Sequence, residues 1–135
     1  MTAAINNLML IDDDHADLKQ FKRVLARTGL AGRITAFDDA AEAFDYLSQN
    51  SSAAVDAIFL DINMPRMNGF EFLEKAARDL EQQLAGTIVI MLTTSTDPGD
   101  QQRAQQFKIV RGYVAKPLLE ADVHHAARLL AGARG

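Results

Sequence analysis

The sequence predicts an α/β protein in which five parallel strands form one sheet with helices on both faces. Short apolar runs alternate with segments of helical periodicity, and the alternation occurs five times along the chain. A length of 135 residues with 48% hydrophobic and 24% charged side chains fits one globular domain with a single core. We therefore expect residues 1–135 to form a (βα)5 doubly wound domain, with no output domain.

Five apolar runs supply the predicted strands of this sheet. They are Leu8–Ile11, Arg33–Phe37, Val55–Leu60, Thr87–Leu92 and Ile109–Ala115. None approaches the roughly 18 apolar residues that a membrane span requires. The stretch Met1–Ile11 also lacks the charged and then apolar order of a leader peptide. We therefore expect a cytoplasmic protein with no membrane association.

Apolar residues at helical spacing predict helices between the strands, each with one face packed on the sheet. Their stripes are Leu18, Phe21 and Leu25; Ala40, Ala43, Phe44 and Leu47; Phe70, Leu73, Ala77 and Leu80; and, in the last helix, Val123, Ala126, Ala127 and Leu130. Asp39 and Glu42 have the spacing of a capping box at the start of the second helix. The fourth helix, near residues 100–108, is the least defined, because Ala104 and Phe107 are its only clear apolar anchors.

Composition excludes some classes of function. Fourteen basic residues against eighteen acidic ones give a net charge of −4, which repels a phosphate backbone and argues against direct nucleic-acid binding. The chain has no cysteine, and its size allows folding without disulfides or a structural metal. Any metal is therefore expected to serve function and not folding.

Polar residues that follow the apolar runs are the candidates for function, because ligands bind beyond the carboxyl ends of the strands in an open α/β sheet. The candidates are Asp12, Asp13 and Asp14 after the first run, Asp61 after the third, Thr93, Thr94 and Ser95 after the fourth, and Lys116 after the fifth. These groups converge if the first, third, fourth and fifth strands are neighbours.

Clustered carboxylates indicate a metal site. Two of them held about 5 Å apart repel by roughly 3 kcal/mol at an effective dielectric constant near 20, and a bound cation removes that cost. Oxygen ligands favour Mg²⁺ or another hard divalent cation. Asp12 and Asp13 would hold the metal, with the backbone carbonyl of Asn63 completing the oxygen shell. Asp61 would be the nucleophile for a phosphoryl group, whose charge Lys116 and a threonine hydroxyl would stabilise.

Four segments of the chain, in order and at compatible spacing, resemble the receiver domain of two-component response regulators. They are "LMLIDDDHAD", "FLDINMPRMNGFEFL", "IVIMLTTS" and "GYVAKPL". The resemblance implies the flavodoxin-like receiver fold. The stretches "LDINMPRMNG" and "LTTSTDP" are most similar to the stand-alone receivers found beside bacterial phytochromes and related sensor kinases.

The resemblance implies roles for individual residues. Asp61 would accept a phosphoryl group from a sensor histidine kinase or from a histidine phosphotransfer protein. The likeness to phytochrome-associated receivers implies a kinase of the phytochrome type. Asp12, Asp13 and Asn63 would be metal ligands, and Lys116 the partner of the phosphoryl group. The peptide bond between Lys116 and Pro117 is expected to be cis.

The resemblance also implies a conformational switch. Thr93 directly follows the run Ile88–Leu92 and is favoured over Thr94 as the switch hydroxyl, while Tyr113 matches the family's rotating aromatic residue. Phosphorylation adds about −1.5 to −2 charges, which would draw the hydroxyl inward and admit Tyr113 to the vacated space. The surface of the fourth helix, fifth strand and fifth helix would change as a result.

This surface is the expected site for a partner protein or for a homodimer, since Leu129 and Ala131 lie beside the apolar stripe of the last helix. The chain would deliver its signal by contact or by relaying the phosphoryl group. It would assist its own phosphorylation and dephosphorylation without acting as an enzyme on an external substrate.

Other functions fit the residues less well. A phosphohydrolase with an aspartyl-phosphate intermediate typically has a second acid two residues after the nucleophile, where this chain has Asn63. A nucleotide- or flavin-binding domain is disfavoured because "DDDHAD" offers no glycine after the first strand. A receiver-like module that binds partners without phosphorylation is opposed by the presence of Asp13, Asp61, Thr93 and Lys116 together.

Two residues near these groups have a structural interpretation. Asp14 is expected to cap the first helix. Gly69 is expected to permit the backbone geometry that begins the third helix.

Overall fold

The computed structural model describes residues 4–49 and 54–134. Strands and helices alternate along the chain. Their bounds are β1 Ile5–Ile11, α1 His15–Thr28, β2 Ala31–Phe37, α2 Ala40–Gln49, β3 Ala57–Asp61, α3 Gly69–Asp79, β4 Ile88–Thr93, α4 Pro98–Gln105, β5 Val110–Ala115 and α5 Glu120–Arg134.

The five strands form one parallel sheet in the order β2-β1-β3-β4-β5. The predicted (βα)5 doubly wound fold is therefore confirmed. β1, β3, β4 and β5 are consecutive neighbours, so their carboxyl ends meet along one edge. The register aligns these ends, because Ile11 pairs with Leu60, Asp61 with Leu92, and Thr93 with Ala115.

Successive residues of the central strands point to opposite faces of the sheet and so belong to two apolar layers. On the face covered by α2 and α3, the strand residues include Met9, Ile11, Ile58, Leu60, Val89 and Met91. On the face covered by α1 and α5 they include Leu8, Leu10, Phe59, Ile88, Ile90 and Leu92. With both faces covered, the sheet is a rigid support for the groups at its edge.

Two helices differ from their predicted positions. α4 begins at Pro98, because Asp97 caps it and proline is well suited to a first helical position. It ends before Phe107, which packs on the core from the following turn, while Ala104 is buried as predicted. In α3 the buried residue is Ala76 and Ala77 is exposed, so the predicted stripe was wrong by one position there.

The predicted capping box of α2 forms only in part. The Asp39 carboxylate accepts a hydrogen bond from the Ala41 amide at 3.0 Å. Glu42 makes no return bond within the described part of the chain, and its side chain lines a groove beside α1. A reciprocal capping box occurs instead at α3, between Asn68 and Glu71.

Among residues 4–49 and 54–134, no helix is both long enough and apolar enough to cross a bilayer.

Candidate functional site

Three carboxylates meet at the carboxyl ends of β1 and β3. Asp12 follows the last residue of β1, and Asp61 is the last residue of the neighbouring β3. One oxygen each from Asp12, Asp13 and Asp61 lies within 4.8 Å of the other two. Asp12 and Asp61 are 1% and 6% exposed, whereas Asp13 is exposed, so the cluster opens to solvent on one side.

Asp14 belongs to α1 and not to this cluster. Its carboxylate accepts hydrogen bonds from the amides of Ala16 and Asp17 at 2.8 and 3.1 Å, as expected of a helix N-cap. The Asp14 amide donates to Asp12 at 2.9 Å, which orients the Asp12 side chain. The predicted capping role of Asp14 is confirmed.

Lys116 reaches the cluster from the loop after β5. Its ammonium nitrogen lies 2.7 Å from Asp12, 2.8 Å from Asp17 and 3.2 Å from Asp61, and its side chain is 9% exposed. The Lys116 amide donates to the Thr93 carbonyl at 2.9 Å, which holds the loop against the end of β4. The peptide bond between Lys116 and Pro117 is cis, as predicted.

The electrostatics of the cluster favour an added cation. Burial, together with the charge of Asp12, raises the pKa of Asp61 to about 6, although Lys116 opposes the change. Burial also raises the pKa of Asp12, against hydrogen bonds from Lys116 and from the Asp14 amide. Burial alone would lower the pKa of Lys116, but its hydrogen bonds to Asp12 and Asp17 outweigh that effect and raise it. One ammonium is therefore insufficient to neutralise the surrounding carboxylates.

The donor set matches the expected metal. The clustered ligand atoms of Asp12, Asp13 and Asp61 are all carboxylate oxygens, which suit Mg²⁺ or another hard divalent cation. Asn63 is exposed in the loop two residues beyond Asp61. Ligation by its carbonyl stays a prediction.

Thr93 and Thr94 occupy different environments. Thr93 ends β4 and is fully buried, whereas Thr94 is exposed. The Thr93 hydroxyl oxygen accepts a hydrogen bond from the Ser95 amide at 2.9 Å, which leaves its proton available for donation. The Ser95 hydroxyl in turn bonds Asp100 at 2.7 Å and ties the loop to α4.

The hydroxyl of Tyr113 lies near this loop. Its hydroxyl oxygen is buried and makes no hydrogen bond of normal geometry within the described residues. Burial and the charge of Asp100 raise the pKa of Tyr113, against the nearby hydroxyls of Ser95 and Thr93. The movement of Tyr113 on phosphorylation stays a prediction.

Gly69 is required for space and not for an unusual backbone angle. A Cβ at position 69 would lie 2.5 Å from the Asp61 carbonyl oxygen, and the Gly69 amide donates to the Ile62 carbonyl at 2.8 Å. Its φ is not positive, so the close approach of the Asp61 carbonyl, and not a left-handed conformation, requires glycine where α3 begins. The residue with a left-handed conformation in this loop is Arg66, at φ 67°.

Sequence reasoning missed two residues of α1 that contact the Lys116 segment. Asp17 bonds the Lys116 ammonium, and Gln20 exchanges two hydrogen bonds with the backbone of Leu118. The only sequence signal was their spacing of three on one helical face, which becomes informative once α1 is known to lie beside the end of β5.

Comparison with known proteins agrees with this geometry. The family model described as "Response regulator receiver domain" matches residues 8–128. The chain is 31% identical over 119 residues to the probable methanogenesis regulatory protein FilR2 of Methanothrix harundinacea, covering 86% of this chain and 75% of that protein. It spans 52% or less of the length of the next three curated relatives.

Solved structures show the same fold. A two-component response regulator from Cytophaga hutchinsonii matches with a TM-score of 0.89 and 27% identity, covering 95% of this chain and 98% of that one. The bacteriophytochrome response regulator RtBRR matches with a TM-score of 0.78 and 28% identity, covering 93% and 78%. The phytochrome-associated likeness predicted from the loop sequences is thus found among the structural neighbours. The chain belongs to the receiver domain family of two-component response regulators.

Proposed function

We propose that this receiver accepts a phosphoryl group on Asp61 from a sensor histidine kinase or a histidine phosphotransfer protein, in a reaction that depends on Mg²⁺. The observation that carries the proposal is the position of Asp61, within 4.8 Å of Asp12 and Asp13 oxygens and 3.2 Å from the Lys116 ammonium. A nucleophile, a metal-ligand set and a cation for the phosphoryl group therefore share one edge of the sheet.

The transfer is a displacement at phosphorus. A carboxylate oxygen of Asp61 forms a new bond to phosphorus as the bond from phosphorus to the donor imidazole nitrogen breaks, and the imidazole leaves with a proton. Asp12, Asp13, Asp61 and the Asn63 carbonyl would hold Mg²⁺, which neutralises charge on the phosphoryl oxygens. The product is an acyl phosphate on Asp61.

Lys116 and Thr93 stabilise that product. Lys116 stays protonated among its carboxylate partners and pairs with one phosphoryl oxygen. The Thr93 hydroxyl donates to another, since its own oxygen is already engaged by the Ser95 amide. The chain acts on its own phosphoryl group in both directions and does not turn over a separate substrate.

The new charge is transmitted through the loop after β4. A movement of Thr93 toward Asp61 displaces Ser95, whose amide bonds Thr93 and whose hydroxyl bonds Asp100 in α4. The buried hydroxyl of Tyr113 lies near the same residues. The surface formed by α4, β5 and α5 changes shape and binds a partner protein or a second copy of the chain. Leu129 is half-buried against the core, so it offers this surface less apolar area than the sequence suggested.

Intact-protein mass after incubation with acetyl phosphate tests the proposal. The wild type should gain a base-labile phosphoryl group only when Mg²⁺ is present, and Asp61→Asn should gain none. Asp45→Asn makes the same chemical change at an exposed position on α2 and should behave as the wild type. Transfer from a phosphorylated histidine kinase supplies the second arm. A wild type that gains no phosphate from either donor contradicts the proposal.

A further inference from the structure

Two side chains of α1 hold the segment that carries Lys116. The Asp17 carboxylate accepts a hydrogen bond from the Lys116 ammonium at 2.8 Å. The Gln20 side-chain amide donates to the Leu118 backbone carbonyl at 2.8 Å and accepts a hydrogen bond from the Leu118 backbone N–H at 3.2 Å. Because Asp17 and Gln20 are three residues apart, they share one face of α1. The helix therefore contacts this segment on both sides of Pro117.

The three N–H groups of the Lys116 ammonium have three separate carboxylate neighbours. The ammonium nitrogen lies 2.7 Å from an Asp12 oxygen and 2.8 Å from an Asp17 oxygen, whereas an Asp61 oxygen is farther away, at 3.2 Å. Two short bonds from different elements fix the direction of the third N–H. Asp61 is an ion-pair neighbour of the ammonium and not one of its hydrogen-bond acceptors, so the third N–H is left for a phosphoryl oxygen on Asp61.

We propose that Asp17 is a positioning residue for phosphoryl transfer, which anchors the Lys116 ammonium so that its third N–H meets a phosphoryl oxygen on Asp61. This role rests on the proposed function of Asp61. Asp17 is not among the clustered metal-ligand candidates, and it acts through Lys116 alone.

The direction in which the phosphorylation rate changes when the Asp17 carboxylate is removed distinguishes a positioning role from a simple electrostatic one. Asp17 is a negative charge near an incoming phosphoryl anion, so its field alone would slow the reaction, and its removal would speed it. Its side chain is 34% exposed, so solvent and salt screen that field. If positioning dominates, removal of the carboxylate slows phosphorylation instead.

The first measurement is the rate of phosphorylation by acetyl phosphate at saturating Mg²⁺. We expect Asp17→Asn to be roughly 5- to 30-fold slower than the wild type. This is less than the roughly 100-fold that a 1 Å misplacement can cost, because Asp12 still holds the ammonium on one side. Asp17→Glu keeps the charge and should recover part of the rate. Asp38→Asn is the matched control. Asp38 is an exposed carboxylate after β2 whose ion-pair partner is His15 and not Lys116.

A double-mutant cycle tests whether Asp17 acts through Lys116. In a Lys116→Ala background, Asp17→Asn should cause no further loss of rate. Thermal unfolding of each variant separates a loss of fold from a loss of position. In the unphosphorylated protein, the slowly exchanging NMR signal of the Lys116 ammonium should be present in the wild type and broadened in Asp17→Asn.

Each outcome bears on the assignment. An equal or faster rate in Asp17→Asn, or the same loss in both backgrounds, overturns the role of Asp17 while phosphorylation of Asp61 stands. A wild type that takes no phosphoryl group contradicts the proposed function, and the role assigned to Asp17 is overturned with it.

Discussion

The Lys116 ammonium lies 3.2 Å from a carboxylate oxygen of Asp61, yet the pKa of Asp61 is raised to about 6. Burial and the neighbouring charge of Asp12 outweigh the attraction of the ammonium. In the metal-free protein, the ionised form of Asp61 is therefore destabilised at neutral pH. Stability and metal binding should both depend on pH as a result.

The first prediction is that Asp61→Asn stabilises the metal-free protein at pH 8. A carboxyl whose pKa is higher in the folded state contributes stability below pH 3.8, and loses it as pH rises through about 6. The shift of about two pKa units corresponds to at most roughly 3 kcal/mol of unfolding free energy. Urea unfolding should show a gain of about 1–3 kcal/mol at pH 8 and none near pH 4.

Asp45→Asn serves as the control for this comparison, because Asp45 is exposed on α2. It should leave the unfolding free energy nearly unchanged at both pH values. Equal stability of Asp61→Asn and wild type at pH 8, without metal, would contradict the raised pKa.

The second prediction concerns Mg²⁺ affinity. Below pH 6 the metal must displace a proton from Asp61, so the apparent affinity should fall by up to about tenfold per pH unit. Calorimetric titration at pH 5, 6.5 and 8 measures this fall. In Asp61→Asn the residual affinity should lose most of its pH dependence. A wild-type affinity that is constant from pH 5 to 8 would argue against Asp61 as a ligand.

The third prediction is that Gly69→Ala destabilises the protein. The added Cβ would meet the Asp61 carbonyl oxygen at 2.5 Å, so α3 must shift away from the end of β3. We expect a loss of about 1–3 kcal/mol in unfolding free energy and slower phosphorylation of Asp61.

Gly132→Ala is the matched control for this substitution. A Cβ at position 132 of α5 would have nothing within 4 Å. Helix propensity favours alanine there by about 1 kcal/mol, so this variant should be as stable as the wild type or more so. Similar losses in both variants would show that space near Asp61 is not the cause.

The fourth prediction distinguishes the two threonines. Thr93→Ala should reduce the conformational change that follows phosphorylation, because Thr93 is buried at the end of β4, whereas Thr94→Ala should leave it intact. The NMR signals of Tyr113 in phosphorylated and unphosphorylated protein report the change. An effect confined to Thr94→Ala would overturn the assignment of Thr93.

Local patterns predicted much of the fold because they depend on neighbouring residues. The five apolar runs identified the five strands, and the four apolar stripes identified α1, α2, α3 and α5. Asp14 was correctly expected to cap α1. Errors occurred where local rules compete. The start of α4 is set by the Asp97 cap and its end by packing of Phe107 from the following turn, not by apolar spacing.

The sequence by itself determined which side chains could do chemistry here: carboxylates after the first and third strands, hydroxyls after the fourth and a lysine after the fifth. Those positions follow from chain order and strand periodicity alone. Only the tertiary structure decided that Asp17 bonds Lys116 across 99 residues of sequence, that Gly69 makes room for the Asp61 carbonyl, and that the Tyr113 hydroxyl is buried. These contacts depend on how α1, α3 and the loop after β4 pack on the sheet, and such long-range packing leaves no periodic signal in the sequence.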